Sequence, residues 1–461
     1  MLLVSDVFYY CRGHTKYTAD FVSFVLKERT IYCYDAKIIL IYLMSQLNIE
    51  PCALDMKIFD VKIAMSLVDP DRGADDFGEV QRAVGHVAEY CVATECALQR
   101  CAWYQTQLER CASLARGLLH QHQLETLFTD LEMRVLPLLA AMEHRGISVD
   151  CNKLKSMEGI LMKRMREIEM RCHKAAGRTF QIKSSLQVRN ILYDELKLDT
   201  KSNIKIRETV SKGAKSTSET MLRSLIDVHP LPKLILEYRQ LHKAHATFVS
   251  GIMSCVRNDV VKPTWLQKAQ QAVSREERER TKRIVYASLY GAGVRTLGDI
   301  LDVGYDQALA VSSSFHRTFP SLKSFGRDVV ARCLQHQGRL HTSSGRTRHI
   351  PDICSGDSAA RSHAQRQAVN FMVQGLAADI CKLAMVSSDS RLRAAHVPCE
   401  LVLQIHDELV WEVRADHLQT AAGIIKSTME QCGRQFGMEV PLPVSLRCGD
   451  TWGDMEPLPL V

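Results

Sequence analysis

The sequence predicts an α+β protein of more than one domain that opens with a small α/β domain. Three observations carry this. The chain has 461 residues, whereas single hydrophobic cores stop growing near ~250–300 residues. Its first 120 or so residues alternate short β-like runs with helical ones, the pattern of α/β layers. Much later, long helical stretches give way to an apolar–polar–apolar run, Leu401–Val413, that reads as two buried strands joined by a tight hairpin.

Composition narrows the class only mildly. Hydrophobic residues make up 46% of the chain, and the formal net charge is +7. That excess permits nucleic-acid binding without demanding it, so local clustering must decide. The sixteen cysteines form no Cys-x-x-Cys pair, and Cys91, Cys96 and Cys101 match no zinc spacing. Scattered thiols of this kind fit a reducing, intracellular compartment. No run reaches the ~18 apolar residues of a membrane helix, and Met1–Val4 is too short for a signal sequence. A soluble protein without a membrane partner is expected.

In order along the chain, Thr30–Tyr34 reads as a strand, Ala36–Leu47 as a helix, Lys57–Val68 as strand then helix, and Val87–Ala112 as helix. Leu131–His144 is an amphipathic helix kinked by Pro137, with Gly146 as its C-cap. Cys151–Cys172, Ser185–Leu196 and Leu231–Ile252 are further helices. Between them lies a basic stretch with Lys201, Lys205, Arg207, Lys212 and Lys215. It is either a solvated loop or a tip that follows a phosphate backbone.

After Trp265 the character changes. Ser274–Tyr290 is a charged helix, and Ser274 with Glu277 makes a capping box. Arg278, Lys282 and Tyr286 fall four apart on one face. They could hold a triphosphate and stack on a base; the alternative is an ordinary solvated helix. Gly338–Pro351 carries Gly-Arg-Thr-Arg (Gly345–Arg348) in a β-like loop able to grip phosphate. Gln365–Met385 is an apolar helix whose Arg366, Asn370 and Gln374 also fall four apart. Buried groups of that kind need partners, either within the protein or on base edges. In the hairpin, His406 and Asp407 occupy the turn and Glu408 opens the return strand. The turn either faces a cation or reacting group or uses Asp for its ordinary turn propensity.

Taken together, these stretches resemble the family A DNA polymerases. The fingers helix of that family, Arg-x-x-x-Lys-x-x-x-Phe/Tyr-x-x-x-Tyr-Gly, is met by Arg278, Lys282, Tyr286, Tyr290 and Gly291. Its palm helix, Arg-x-x-x-Asn-x-x-x-Gln-Gly-x-x-Ala-Asp, is met by Arg366, Asn370, Gln374, Gly375, Ala378 and Asp379, and its palm hairpin by His406, Asp407 and Glu408. The resemblance implies a right-hand fold with a degenerate 3′–5′ exonuclease-like domain at 1–125, a thumb at 126–255, fingers at 256–340 and a palm at 341–461. It implies primer–template DNA and deoxynucleoside triphosphates as partners, Mg²⁺ as cofactor in a two-ion site, and work in the nucleus. Arg278, Lys282, Tyr286 and Tyr290 would then hold the nucleotide. Asp407 would be the metal ligand and, with Glu408, the catalytic acid pair. Arg366, Asn370, Gln374, Gln404, His406, Arg346, Arg348, Lys212 and Lys215 would contact DNA. Arg283 stands where most of the family has a small or neutral residue and one vertebrate branch has a cation, associated there with poor base discrimination.

Two departures qualify this. The family's other palm strand, Asp-x-Ser-Gln-Ile-Glu-Leu-Arg, which carries the first metal aspartate, has no counterpart near 266–273. The nuclease carboxylates are also replaced: Tyr-x-x-x-Asp is met by Tyr90 and Thr94, and Asn-x-Lys-Tyr-Asp by Asp35-Ala-Lys37-Ile-Ile39. The expectation is a polymerase without proofreading whose own activity is weak or lost. The rival is a non-catalytic primer–template binder of the same descent.

Overall fold

Strands β1 (Thr30–Cys33) and β2 (Lys57–Asp60) run parallel, with Thr30 opposite Lys57 and Cys33 opposite Asp60. The helix between them, α1 (Ala36–Leu47), completes a βαβ unit. Its apolar residues Ala36, Leu40, Leu43 and Met44 are buried, as their spacing of three and four requires. Asp60 fastens the unit. It is 1% exposed, its carboxylate accepts from the backbone N–H of Ala36 at 2.7 Å and of Lys62 at 2.9 Å, and it caps the helix Val61–Val68. Removing it orphans the N-termini of two helices. Asp60→Ala should therefore cost about 2–3 kcal/mol, read as a lower denaturant midpoint.

These features come from a computed structural model that describes residues 2–4, 7–9, 17–50, 56–71, 74–86, 96–202, 215–246, 260–261, 293–301 and 303–460. The chain divides into two compact units, Met1–Arg145 with Ser274–Val461, and Gly146–Val273. The division at Gly146 falls inside the range 126–255 expected for the thumb.

In the first unit, a long helix spans Ala97–Gln121, later than the expected Val87–Ala112, of which 87–95 lies outside the described residues. A π-type turn at Phe128–Glu132 leads into α2 (Met133–Arg145). Pro137 lies inside α2 and removes the hydrogen bond that the Met133 carbonyl would accept. Gly146, at φ 70°, ends the helix as expected. One face of α2 joins the core of the βαβ unit through Leu136, Ala140 and Ala141. Another face, with Val135, Leu138 and Met142, packs on Met385, Val386 and Leu401. At its end Arg145 donates to the Leu401 carbonyl at 2.9 Å and pairs with Glu400.

The expected helix Gln365–Met385 is the centre of a much longer one, α3 (Ser358–Ala394), N-capped by Asp357. It also corrects the expectation that no stretch could span a membrane. By length and composition alone α3 holds an 18-residue window apolar enough to do so. It lies instead against other helices and the hairpin, and its Asp379 is fully buried in an ion pair.

In the second unit, α4 (Cys151–Ala176) ends at Gly177 with φ 73° and packs with α5 (Pro230–Ala244) through Ile168, Cys172, Leu231, Leu234 and Ile235. The short pairing of Ile147–Ser148 with Val260–Val261 brings together the two ends of this unit.

Candidate functional site

The hairpin forms as expected. Strands β3 (Cys399–Ile405) and β4 (Glu408–Val413) pair antiparallel with Ile405 opposite Glu408, leaving His406 and Asp407 as a two-residue turn. Leu401, Val402, Leu403 and Ile405 are buried and β4 is half-buried. The packed strands thus hold His406, Asp407 and Glu408 exposed at one end. His406 adopts φ 51°, a left-handed conformation that is costly outside glycine and gathers at functional turns. Gln404 steadies the turn from below by donating to the His406 carbonyl at 2.7 Å. Its amide also lies 3.6 Å from the Cys381 sulfur, and the Cys381 thiol is 3.8 Å from that same carbonyl. Gln404, which the resemblance places among the DNA contacts, braces the turn in this structure.

Cys381 shows how α3 meets the hairpin. Arg366, Asn370, Gln374 and Cys381 all fall within a narrow stripe of α3, because steps of four and seven residues return to nearly the same side. The stripe runs down the helix to the turn that carries Asp407. Burial pushes the Cys381 thiol upward, the Gln404 hydrogen bond opposes this, and the negative charge of nearby Asp407 adds to the rise. The stripe is not buried as the sequence suggested: Arg366 and Gln374 are exposed. Asn370 is half-buried, and its Oδ1 finds no partner among the described residues.

The opposite side of α3 carries a network that sequence reasoning missed. Asp379 is 0% exposed, and Arg346 approaches it with Nη2 at 2.6 Å and Nε at 3.1 Å. Ser344 donates to its other oxygen at 2.5 Å. Arg346 also pairs with Glu132, which Lys382 meets at 2.6 Å. Burial would lift the Glu132 carboxyl, but Lys382 and Arg346 outweigh it and hold it below the usual range. Burial likewise opposes the Arg346 charge, and Asp379 and Glu132 overcome it.

Arg346, which the resemblance places among the DNA contacts, has its guanidinium turned inward, 18% exposed, and engaged by two carboxylates. Arg348 pairs with Asp71 at 2.8 Å on a more exposed edge. In the second unit Lys215 does not hang free on a basic tip. It pairs with Asp199 and lies 5.7 Å from the centre of the Tyr193 ring, while Arg189 holds its carbonyl at 2.8 Å. Lys212 and the fingers residues Arg278, Lys282, Arg283, Tyr286 and Tyr290 lie outside the described residues, as do Tyr90 and Thr94.

Among the described residues, no three His, Cys, Asp or Glu side chains converge as a cation site. Asp407 and Glu408, the pair at which the resemblance implies Mg²⁺, are neighbours at one hairpin. A two-ion site needs enough carboxylate ligands to hold two cations ~3.5–4 Å apart.

Residues 151–271 and 261–454 match the family model of DNA polymerase family A. The chain belongs to DNA polymerase family A. Among family A relatives, DNA polymerase I of Bacillus caldotenax is 25% identical over 514 residues, covering 89% of this chain and 56% of that protein. DNA polymerase I of Bacillus subtilis is 26% identical, covering 86% and 55%. The thermostable DNA polymerase I of Thermus filiformis is 26% identical, covering 71% and 48%. The chain spans about half the length of the curated relatives it matches. In fold it is similar to the POL domain of Pol1 from M. smegmatis, solved in complex with DNA primer-template and dNTP. The TM-score is 0.77 at 20% identity, with 93% of this chain and 87% of that one covered. The α+β polymerase fold expected from the sequence is therefore the fold of this family A chain.

Proposed function

We propose that this chain grips primer–template DNA and deoxynucleoside triphosphates as a DNA-directed DNA polymerase does, and extends the primer poorly or not at all. The observation that carries the grip is the stripe Arg366–Asn370–Gln374, which runs toward the exposed turn of His406 and Asp407. Its one unpartnered buried oxygen, on Asn370, is the kind of group a base edge or sugar would satisfy. The M. smegmatis POL domain, solved with primer-template and dNTP, supports the same ligands. Primer–template binding should weaken steeply with salt, because phosphate contacts dominate affinity. A fluorescence-anisotropy titration that finds no binding by folded protein at low salt would refute it. Lys215→Ala should change affinity less than a free phosphate contact would, since Lys215 is already paired with Asp199.

The weak catalysis rests on the missing palm strand. Two observations support that gap. The two family-matched stretches overlap at 261–271. The alignment to the B. caldotenax enzyme spans 514 residues, although this chain has only 461. A DNA binder with no activity is the limiting form of the same reading; the primer-extension test below measures how far the chain lies from it. The cation Arg283 aligns the chain with the vertebrate polymerase nu branch. On that likeness we assign it to repair or lesion bypass in the nucleus, without proofreading.

A further inference from the structure

We propose that Arg346 is a positioning residue: through Asp379 it fixes the rotation of helix α3, so that the stripe ending at Cys381 meets the hairpin turn. The proposal rests on the DNA-binding reading above only in its second arm. Asp379 lies nine residues from Asn370, about two and a half helical turns, and therefore on the opposite side of α3. Cys381 lies eleven residues from Asn370, about three turns, and therefore on the same side. The helix is thus gripped from behind at a buried carboxylate, and in front its Cys381 thiol meets the turn itself, beside the apolar contacts of Met385 and Val386 with Leu401.

The grip from behind is directional. Arg346 presents Nε and Nη2 to Asp379 together, at 3.1 and 2.6 Å, and a planar fork engaged by two donors resists rotation about the helix axis in a way that a lysine point charge does not. Ser344 adds a third donor at 2.5 Å. The loop bearing both residues is itself closed by the Thr342 N–H donating to the Arg346 carbonyl at 2.9 Å. Glu132, just before α2, pairs with the same Nη2 that meets Asp379, and α2 packs on Leu401 of the hairpin. The Arg346 guanidinium thereby joins three elements that frame the turn: the loop, α3 and the start of α2. In front, the contacts are soft ones to sulfur, 3.8 Å to the His406 carbonyl and 3.6 Å to the Gln404 amide. A small rotation of α3 would break them first.

The first arm of the test reads that contact without DNA. Alkylation of Cys381 by N-ethylmaleimide in the full chain is followed by peptide mass spectrometry, well below the melting temperature. Arg346→Lys keeps the charge and loses the fork, and it should speed labelling of Cys381 by about tenfold, while buried Cys111 and Cys172 stay slow. Should Arg346→Lys fail to fold, Ser344→Ala, which leaves the ion pair intact, should speed labelling by a few-fold. An unchanged Cys381 rate in whichever of the two variants folds overturns the proposal. The second arm measures primer–template affinity against salt. A positioning role lowers affinity in Arg346→Gln and leaves the salt slope unchanged, whereas loss of a direct phosphate contact, which a lysine would preserve, would flatten that slope by about one unit. A flattened slope also overturns the proposal. If the wild-type chain does not bind DNA, the functional reading fails and the thiol arm alone decides the positioning role.

Discussion

Asp379→Asn is expected to lower stability by about 3 kcal/mol, seen as a denaturant midpoint shifted down at unchanged slope. The substitution keeps the shape of the side chain and removes the charge that Arg346 faces on a fully buried partner. Breaking a buried pair from one side costs about 3–5 kcal/mol, because the surviving charge remains desolvated. The lower end applies here, since Glu132 still meets the guanidinium. Replacing Asp71, which pairs with Arg348 on an edge where Asp71 is 51% exposed, should cost no more than about 1 kcal/mol. The contrast between these two arginines, two residues apart in sequence, is the sharpest stability test available.

The same network sets an acid limit. The folded-state value of Glu132 is lowered, so its contribution to stability is fully present above the unfolded carboxyl value of about 4.3. That contribution is lost as the pH falls through the lower folded value. Glu132→Gln should therefore reduce stability at neutral pH and flatten the fall in stability below about pH 4. A pH series of denaturant midpoints for the two proteins checks both signs. An acid slope identical in wild type and variant would show that other carboxylates set the limit.

What the sequence revealed and what it hid divide along contact range. The helix Ala36–Leu47 has the bounds expected of it, because an apolar run following Asp35 is a local signal. Lys57–Val68 splits into strand and helix at Asp60, a residue whose capping preference is also local. The hairpin at 401–413 follows from its apolar–polar–apolar run, and Gly146 marks a helix end because it takes positive φ; α4 runs past the expected Cys172 to its cap at Gly177. The π-type turns at Phe128–Glu132 and Asn190–Glu195 left no such trace. The role of Arg346 was hidden for another reason. A Gly-Arg-Thr-Arg loop reads the same whether its first arginine faces phosphate or a buried carboxylate. The partner that decides it, Glu132, is 214 residues away in sequence. Glu132 itself gave no local signal, for it stands between Asp130 and Arg134 and reads as an ordinary solvated carboxylate. The resemblance motif included Asp379 without saying that its carboxylate faces inward.

The second large effect is on catalysis. Two-metal phosphoryl transfer needs two cations ~3.5–4 Å apart, which takes more carboxylate ligands than one adjacent pair supplies. Mg²⁺ binds weakly unless carboxylates and substrate phosphates share its coordination. Here Asp407 and Glu408 belong to one hairpin, so the electrostatic stabilisation lost should slow extension by on the order of 10³-fold or more relative to a bacterial polymerase I assayed beside it. Binding should persist, because the stripe on α3 and the hairpin are intact. The decisive measurement is templated primer extension by this 461-residue chain, in Mg²⁺ and in Mn²⁺, at protein concentrations where anisotropy shows the primer–template bound. The expected result is a bound primer that is not extended, or is extended at the residual rate above. Rapid templated extension that Asp407→Ala abolishes would contradict the account, for it would mean that another carboxylate completes the site.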